Sequence, residues 1–179
     1  MTIDKIKIYR ITGIVLFVFI IIASALTLSS VRSYQRASIP DSSGLVSATD
    51  VSAVALAAAK TWSPDALLAY VNSGAVEQLG GRAAQWEFIF VASSKKGKGY
   101  RVTITDHTIT HQEEISYQGK GAPLPPSMLP EDIAIKRVRA MPGFEHVDIL
   151  GVEAVHGPSG AVWYWGVKTS KGVVSVEAK

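Results

Sequence analysis

The chain reads QWEFIFVASSKKGKGYRVTITD over residues 85–106, and this stretch indicates what kind of fold the rest can build. Two runs of alternating apolar and polar residues, Gln85 to Ala92 and Tyr100 to Thr105, flank a loop rich in glycine and lysine. Alternation with a period of two is typical of strands that bury one face. We therefore predict an antiparallel hairpin, and we interpret Lys95-Lys96-Gly97-Lys98 as its solvated loop.

The residues before this hairpin complete a first structural unit. Ser47 or Thr49 can cap a helix of about a dozen residues, Asp50 to Trp62, whose apolar side chains recur at helical spacing. Ser63-Pro64 ends this helix, and a strand is predicted from Ala66 to Asn72. The unit therefore has the order helix, strand, strand, strand.

The same order recurs towards the C-terminus. Pro130-Glu131-Asp132 opens a second helix, because proline is tolerated in the first helical turn. Three more strands are predicted after it: Val147 to Val155, Ala161 to Thr169 and Gly172 to Glu177. The predicted fold class is α+β, with a single N-terminal transmembrane helix followed by two tandem α-β-β-β units with antiparallel sheets.

The predicted transmembrane helix is the uncharged run ITGIVLFVFIIIASALTLSSV, residues 11–31. As a helix it would be about 31 Å long, close to the hydrocarbon thickness of a bilayer. Three basic residues precede it and two follow it, which favours a cytoplasmic N-terminus. Small residues that would let another membrane helix approach closely lie within it: Gly13, Ala23 and Ala25.

A cleaved signal peptide is the alternative reading of this run, because Ala23-Ser24-Ala25 matches a cleavage signature. The apolar stretch continues past that site to Val31 and exceeds the usual length of a signal-peptide core, so we favour an anchor. The predicted organisation is a cytoplasmic tail (1–10), the membrane helix (11–31), a linker (32–46), a first unit (47–115), a Gly/Pro-rich connector (116–128) and a second unit (129–179). The expected location is the bacterial inner membrane, with the domain in the periplasm.

Charge and cysteine content exclude several classes of function. Residues 1–36 carry five basic groups and one acidic group, whereas residues 37–179 carry 13 basic and 14 acidic groups. The basic excess therefore belongs to the membrane segment, and a nucleic-acid-binding domain is not expected. The chain has no cysteine, which excludes disulfides, thiol catalysis, iron–sulfur clusters and cysteine zinc sites.

The two units resemble the PepSY-like domain family. The resemblance rests on SPDALLAYV (63–71), GRAAQWEFIFVAS (81–93) and GYRVTITD (99–106), with a more compact copy over residues 131–178. It implies an extracytoplasmic domain, often on a membrane anchor, that binds or restrains partners, including peptidases. The family has no shared catalytic residues, so none is transferred to this chain. Trp86 and Trp163 match its strand aromatic and are expected to be structural.

His107 and His111 are the nearest approach to a metal-ligand pair. Asp106, Glu113 and Glu114 lie close to them in sequence, but the arrangement H-E-x-x-H of zinc peptidases is absent. We therefore favour a surface strand that carries two histidines over a metal site. His146 and His156 fall near predicted turns or strand ends, where a solvated histidine is ordinary.

Other short motifs do not support catalysis. Gly157-Pro158-Ser159-Gly160 lacks the frame of a nucleophile elbow and is interpreted as a hairpin turn. Gly97-Lys98-Gly99 and Gly119-Lys120-Gly121 lack the spacing of a phosphate-binding loop. We predict no catalytic residue, no cofactor, no metal and no small-molecule substrate.

The aromatic group Trp163-Tyr164-Trp165 is a candidate interface. On a strand, Trp163 and Trp165 share one face and Tyr164 takes the other. Ordinary sheet packing is favoured for the group, with an interface role as the alternative, and Tyr164 is the member expected to be exposed.

Three functional hypotheses follow. The first is a non-enzymatic accessory or scaffold subunit that binds integral membrane subunits of a larger complex, such as an energy-transducing respiratory or photosynthetic assembly. The second is a regulator or inhibitor of a peptidase, as the family resemblance implies. The third is an enzyme or metal-dependent sensor that uses His107 and His111.

Overall fold

The computed structural model describes residues 44–123, 128–157 and 162–178, which belong to a single compact unit. Two helices and seven strands are present among these residues. In chain order they are α1 (Ala48–Trp62), β1 (Leu67–Ser73), β2 (Gln85–Val91), β3 (Lys98–Thr105), β4 (Thr108–Ser116), α2 (Glu131–Arg139), β5 (Ile149–His156), β6 (Trp163–Thr169) and β7 (Gly172–Glu177).

The first helix has both a cap and an apolar face. Ser47 takes the N-cap position with an extended backbone, and its Oγ accepts a hydrogen bond from the Thr49 N–H at 3.2 Å. Its buried residues recur at intervals of three or four positions: Ala48, Val51, Ala55 and Ala59. The small alanines let α1 lie close to the sheet.

All seven strands form one antiparallel sheet in the order β4-β3-β2-β1-β5-β6-β7. The first and second halves of the chain meet where β1 pairs with β5. That pairing is short, with Tyr70 opposite Val155, Val71 opposite Ala154 and Asn72 opposite Glu153. The sheet is therefore continuous across the halves, and its central strand takes a partner from a distant part of the sequence.

Both helices cover the same face of the sheet, and one hydrophobic core lies between the helices and the sheet. Helix α1 packs on β1, β2 and β3, and α2 packs on β6 and β7. The bulkiest core side chains come from β2 and β6, where alternate residues point towards the helices. They are Trp86, Phe88, Phe90, Trp163 and Trp165. The opposite face carries no helix from the described residues.

A tryptophan in each half ties the sheet to the segment that leads into its helix. The indole N–H of Trp86 donates to the Val46 carbonyl at 2.8 Å, two residues before α1. The indole N–H of Trp165 donates to the Leu129 carbonyl at 2.6 Å, two residues before α2. Trp165 therefore has the same role as Trp86. Trp163, which the family resemblance matched with Trp86, donates instead to the Pro123 carbonyl.

The predicted fold class is wrong. Instead of two tandem α-β-β-β units, the described residues form a single seven-stranded sheet with two helices on one face. Part of the expected connector also belongs to the fold, because Ala122 is buried and its N–H donates to the Leu68 carbonyl at 2.7 Å. The physical reason is that strand pairing across the halves removes two exposed sheet edges.

The predicted membrane segment, residues 11–31 with Gly13, Ala23 and Ala25, lies outside the described residues. Neither of the two described helices combines the length and the apolar character that crossing a bilayer requires.

Candidate functional site

The sheet face opposite the helices, called here the open face, is crossed by one row of paired residues. Register pairing places Glu113, Arg101, Ile89, Tyr70, Val155, Tyr164 and Glu177 side by side, one from each strand. Its ends are charged, whereas its four middle residues are aliphatic or aromatic. Val155 is 36% exposed, and Tyr70 and Tyr164 are partly exposed. Ile89 is buried, so the accessible apolar strip consists of Tyr70, Val155 and Tyr164.

The charged side chains beside this strip are already paired with each other. Arg101 contacts Glu113 through Nη1 at 2.9 Å and Glu87 through Nε at 3.3 Å. On the other side of the strip, Glu153 accepts a hydrogen bond from the Tyr70 hydroxyl at 2.8 Å and contacts Lys168 Nζ at 2.9 Å. A partner that covers the open face would therefore not leave these charges without a counter-ion.

The three residues of the predicted aromatic interface lie on different faces. Trp163 and Trp165 are 4% and 0% exposed, on the helix-covered face of β6. Tyr164 lies on the open face, in the row defined above. Of these three aromatic residues only Tyr164 is accessible to a partner, and its role in an interface stays a prediction.

The predicted histidine pair is not assembled as a ligand pair. His107 lies with Asp106 in the two-residue turn between β3 and β4, where both residues have positive φ. His111 lies in β4, with Nε2 3.5 Å from Glu113 Oε1. No three His, Asp or Glu side chains in the described ranges are grouped closely enough to hold a metal ion. The exposed His146 lies in a turn, and Ser159 lies outside the described residues.

A basic cleft lies at the end of the β2–β3 hairpin. It has a volume of about 380 Å³, and its walls are the hairpin loop (93–98) and the segment that follows β4 (117–121). Both Gly-Lys-Gly sequences contribute to it, although they are 22 positions apart in the chain. Four lysines line the cleft: Lys95, Lys96, Lys98 and Lys120.

No protein-family model, curated protein or solved structure matches the chain. The resemblance to PepSY-like domains stays a prediction, and the functional argument depends on the geometry of the open face and the basic cleft.

Asp65 fixes the start of the hairpin loop through hydrogen bonds. Its carboxylate accepts hydrogen bonds from the hydroxyls of Ser63, Ser93 and Ser94 and from the Ser94 N–H, at 2.6 to 3.0 Å. These bonds hold the pKa of Asp65 well below its usual range, with the Ser63 hydroxyl as the largest cause. Because the carboxylate stays ionised, it fixes the start of the loop that carries Lys95 and Lys96.

A second set of contacts fixes the loop from the side. Lys95 Nζ lies 4.7 Å from the centre of the Trp62 ring, and Trp62 stacks on Tyr100 at 5.2 Å. Glu114 accepts a hydrogen bond from the Trp62 indole at 3.0 Å and contacts Lys98 at 3.3 Å. The Trp62 bond and then Lys98 lower the pKa of Glu114. The loop predicted as solvated is exposed but held in one arrangement.

The opposite wall of the cleft depends on close approach of Gly121 to β1. A Cβ atom at Gly121 would lie 2.6 Å from Val91 Cγ2, 2.8 Å from Leu67 Cβ and 3.0 Å from the Leu67 carbonyl oxygen. His156 supports the same wall, because its Nε2 donates to the Lys120 carbonyl at 2.5 Å. Lys120 is therefore positioned by a backbone that has no room for a side chain next to it.

We expect Gly121→Ala to displace this wall. The added methyl clashes with backbone as well as side chains, so the free energy of unfolding should fall by about 1–3 kcal/mol. The Ala122 amide, which donates to Leu68, should exchange its hydrogen faster by mass-spectrometric hydrogen exchange. Gly74→Ala is the matched control, because a Cβ there meets nothing within 4 Å. Unchanged exchange at Ala122 in the Gly121 variant would contradict this account.

The cleft could not be predicted from the sequence, although the lysine-rich hairpin loop that forms one of its walls was identified. Lys120 and Asp65 are far from the hairpin loop in the chain, and they reach it through the folding of the segments that carry them. The only available signal was the repeated Gly-Lys-Gly sequence, and its spacing argued against a phosphate-binding loop.

Proposed function

We propose that the chain is a non-enzymatic, single-pass membrane protein that serves as an accessory or scaffold subunit of a larger membrane complex. Its extracytoplasmic domain binds the exposed part of an integral membrane subunit through the open face. The apolar run at residues 11–31 supports this location, because an anchor confines the domain to partners in the same membrane.

The observation that carries the proposal is the strip formed by Tyr70, Val155 and Tyr164. The strip lies on a pleated sheet surface and not in a cleft, whereas sites for small molecules are concave. Tyrosine is enriched in protein interfaces, because it combines an apolar ring with a polar tip. The charged neighbours of the strip are paired within the domain, so a partner that covers them leaves no unpaired buried charge.

Co-purification from membranes in mild detergent, followed by mass spectrometry, tests this function. Stoichiometric recovery of integral membrane subunits is the expected result. Tyr164→Ala combined with Val155→Ala should reduce that recovery about tenfold, because both changes remove contact area from the centre of the interface. Val54→Ala is the control, since Val54 is 41% exposed on α1, which lies on the opposite side of the sheet from the open face.

Three outcomes would contradict the proposal. A chain that elutes alone as a monomer has no stable partner in the membrane. A peptidase recovered as the main companion would favour the alternative, a periplasmic regulator of a peptidase. Equal recovery with the double variant and with wild type would show that the partner does not bind through the open face.

A further inference from the structure

We propose that the basic cleft binds a phosphate group carried by a small organic molecule or by a lipid headgroup. The proposal does not depend on the proposed function, and it adds a ligand site to the domain. It rests on the cavity, on the distribution of charge and on the way in which two separate chain segments form the walls.

The charge of the cleft is opposite to that of the domain around it. The described residues contain 12 lysines and arginines and 13 aspartates and glutamates. Four of the 12 cations line this single cavity, and no acidic residue lines it. Such a concentration of one sign raises the local concentration of ions of the opposite sign.

Two of the four ammonium groups are available to a ligand. Glu114 contacts Lys95 at 3.7 Å and Lys98 at 3.3 Å and neutralises one charge between them. Lys96 and Lys120 are exposed and have no carboxylate within ion-pair distance among the described residues. The cleft with Glu114 at its rim therefore keeps a net positive charge. Lysine ammonium groups are common phosphate ligands and act as point charges.

The remaining lining fits a phosphate ester better than a free inorganic ion. Leu67, Val91 and Tyr117 also line the cleft and give it apolar surface. Burial raises the pKa of Tyr117, so its phenol stays neutral and adds no negative charge. The volume, about 380 Å³, lies in the range of small-molecule sites. A ligand with an anionic group and a short apolar part would match both surfaces.

The cleft is also arranged before any ligand arrives. Asp65 holds one wall through its hydrogen bonds to Ser93 and Ser94, and the Gly121 approach to β1 holds the other. A binding site whose groups are already in place loses less conformational freedom on binding. The structure thus supplies rigidity as well as charge.

Acetylation footprinting of the full chain tests the proposal. In mild detergent, glycerol 1-phosphate is titrated against chloride of equal ionic strength; in nanodiscs, phosphatidylglycerol is compared with phosphatidylcholine. We expect saturable protection of Lys96 and Lys120, with Lys136 as an internal reference that does not change. The double variant Lys96→Gln, Lys120→Gln should weaken binding about tenfold, measured by protection of Lys98. Lys60→Gln with Lys171→Gln is the control for charge loss elsewhere, and it leaves the Lys136 reference in place.

The two arms identify the source of the phosphate. Protection by glycerol 1-phosphate in detergent assigns a soluble ligand, and protection only by phosphatidylglycerol assigns a lipid headgroup. The proposal is overturned if neither arm gives saturable protection, or if chloride at equal ionic strength protects equally. Loss of binding in the control variant to the same extent as in the cleft variant would also overturn it.

Discussion

Trp86→Ala is expected to lower the free energy of unfolding by about 3–5 kcal/mol, the usual cost when a buried large aromatic side chain is removed. Trp86 is 0% exposed in the core beneath α1. Trp165→Ala should cost a similar amount in the other half, since Trp165 is equally buried beside α2. Urea unfolding of the full chain in mild detergent, followed by fluorescence and circular dichroism, measures both. Leu79→Ala is the control and should change stability by less than about 0.5 kcal/mol, because Leu79 is 67% exposed.

Substitution of each tryptophan by phenylalanine keeps most of the buried aromatic volume and removes the indole N–H. It therefore measures the contribution of the indole hydrogen bond to stability. The Val46 carbonyl also accepts from the Ala83 N–H at 3.0 Å, so it keeps a donor in Trp86→Phe. The Leu129 carbonyl has no second donor among the described residues. Trp165→Phe should therefore lower the free energy of unfolding by about 1 kcal/mol more than Trp86→Phe does. Equal costs, or a larger cost at Trp86, would show that the indole hydrogen bonds do not govern the difference.

Glu131→Gln is expected to stabilise the protein at alkaline pH. Glu131 is 1% exposed, and its Oε1 accepts a hydrogen bond from the Ala48 N–H at 3.1 Å, which joins the start of α2 to the start of α1. Burial raises the pKa of Glu131 more than the hydrogen bonds lower it. A glutamine keeps an oxygen acceptor for Ala48 and removes the buried charge.

The sign of the pH dependence follows from the raised pKa. In the unfolded chain Glu131 ionises at a lower pH than in the fold, so its contribution to stability is complete below the unfolded pKa. That contribution is lost as the pH rises through the folded pKa. The advantage of Glu131→Gln should thus be near zero at about pH 4 and reach about 1–3 kcal/mol at about pH 8.

Unfolding of the full chain across this pH range, in the same detergent, measures the effect. Asp132→Asn is the matched control, because it removes the same charge from the next residue, where the carboxylate is partly exposed and paired with Lys136 at 2.8 Å. A Glu131→Gln curve parallel to wild type would mean that Glu131 ionises like an exposed glutamate. Glu131→Ala should be less stable than Glu131→Gln at every pH, since the Ala48 N–H loses its acceptor.

Local structure in this protein could be predicted from the sequence, because it depends on neighbouring residues. The hairpin strands were expected at Gln85 to Ala92 and Tyr100 to Thr105, and β2 and β3 lie there within two residues. A cap at Ser47 or Thr49 was predicted and Ser47 is the residue that caps α1, since capping depends on one side chain and the next two amides.

The joining of strands into one sheet could not be predicted in the same way. The β1–β5 contact rests on three register pairs between residues more than 80 positions apart, and no local pattern identifies them. Most of β4, from Gln112 to Ser116, was missed as a strand because it lies at the sheet edge and carries mainly polar side chains. Lys120 reached the cleft through the path of the segment after β4, which the sequence pattern does not specify.

The position of β1 has a consequence for how the chain folds as it is made. β1 is the central strand of the sheet, yet its partner β5 lies in the second half of the sequence and is synthesised much later. Until β5 emerges, the nascent first half exposes an unpaired edge at Tyr70 to Asn72, which another chain could occupy. The acceptor for the Ala48 amide, Glu131, also comes late. The first half of the domain can therefore complete its strand pairing and its hydrogen bonds only after the second half has been synthesised.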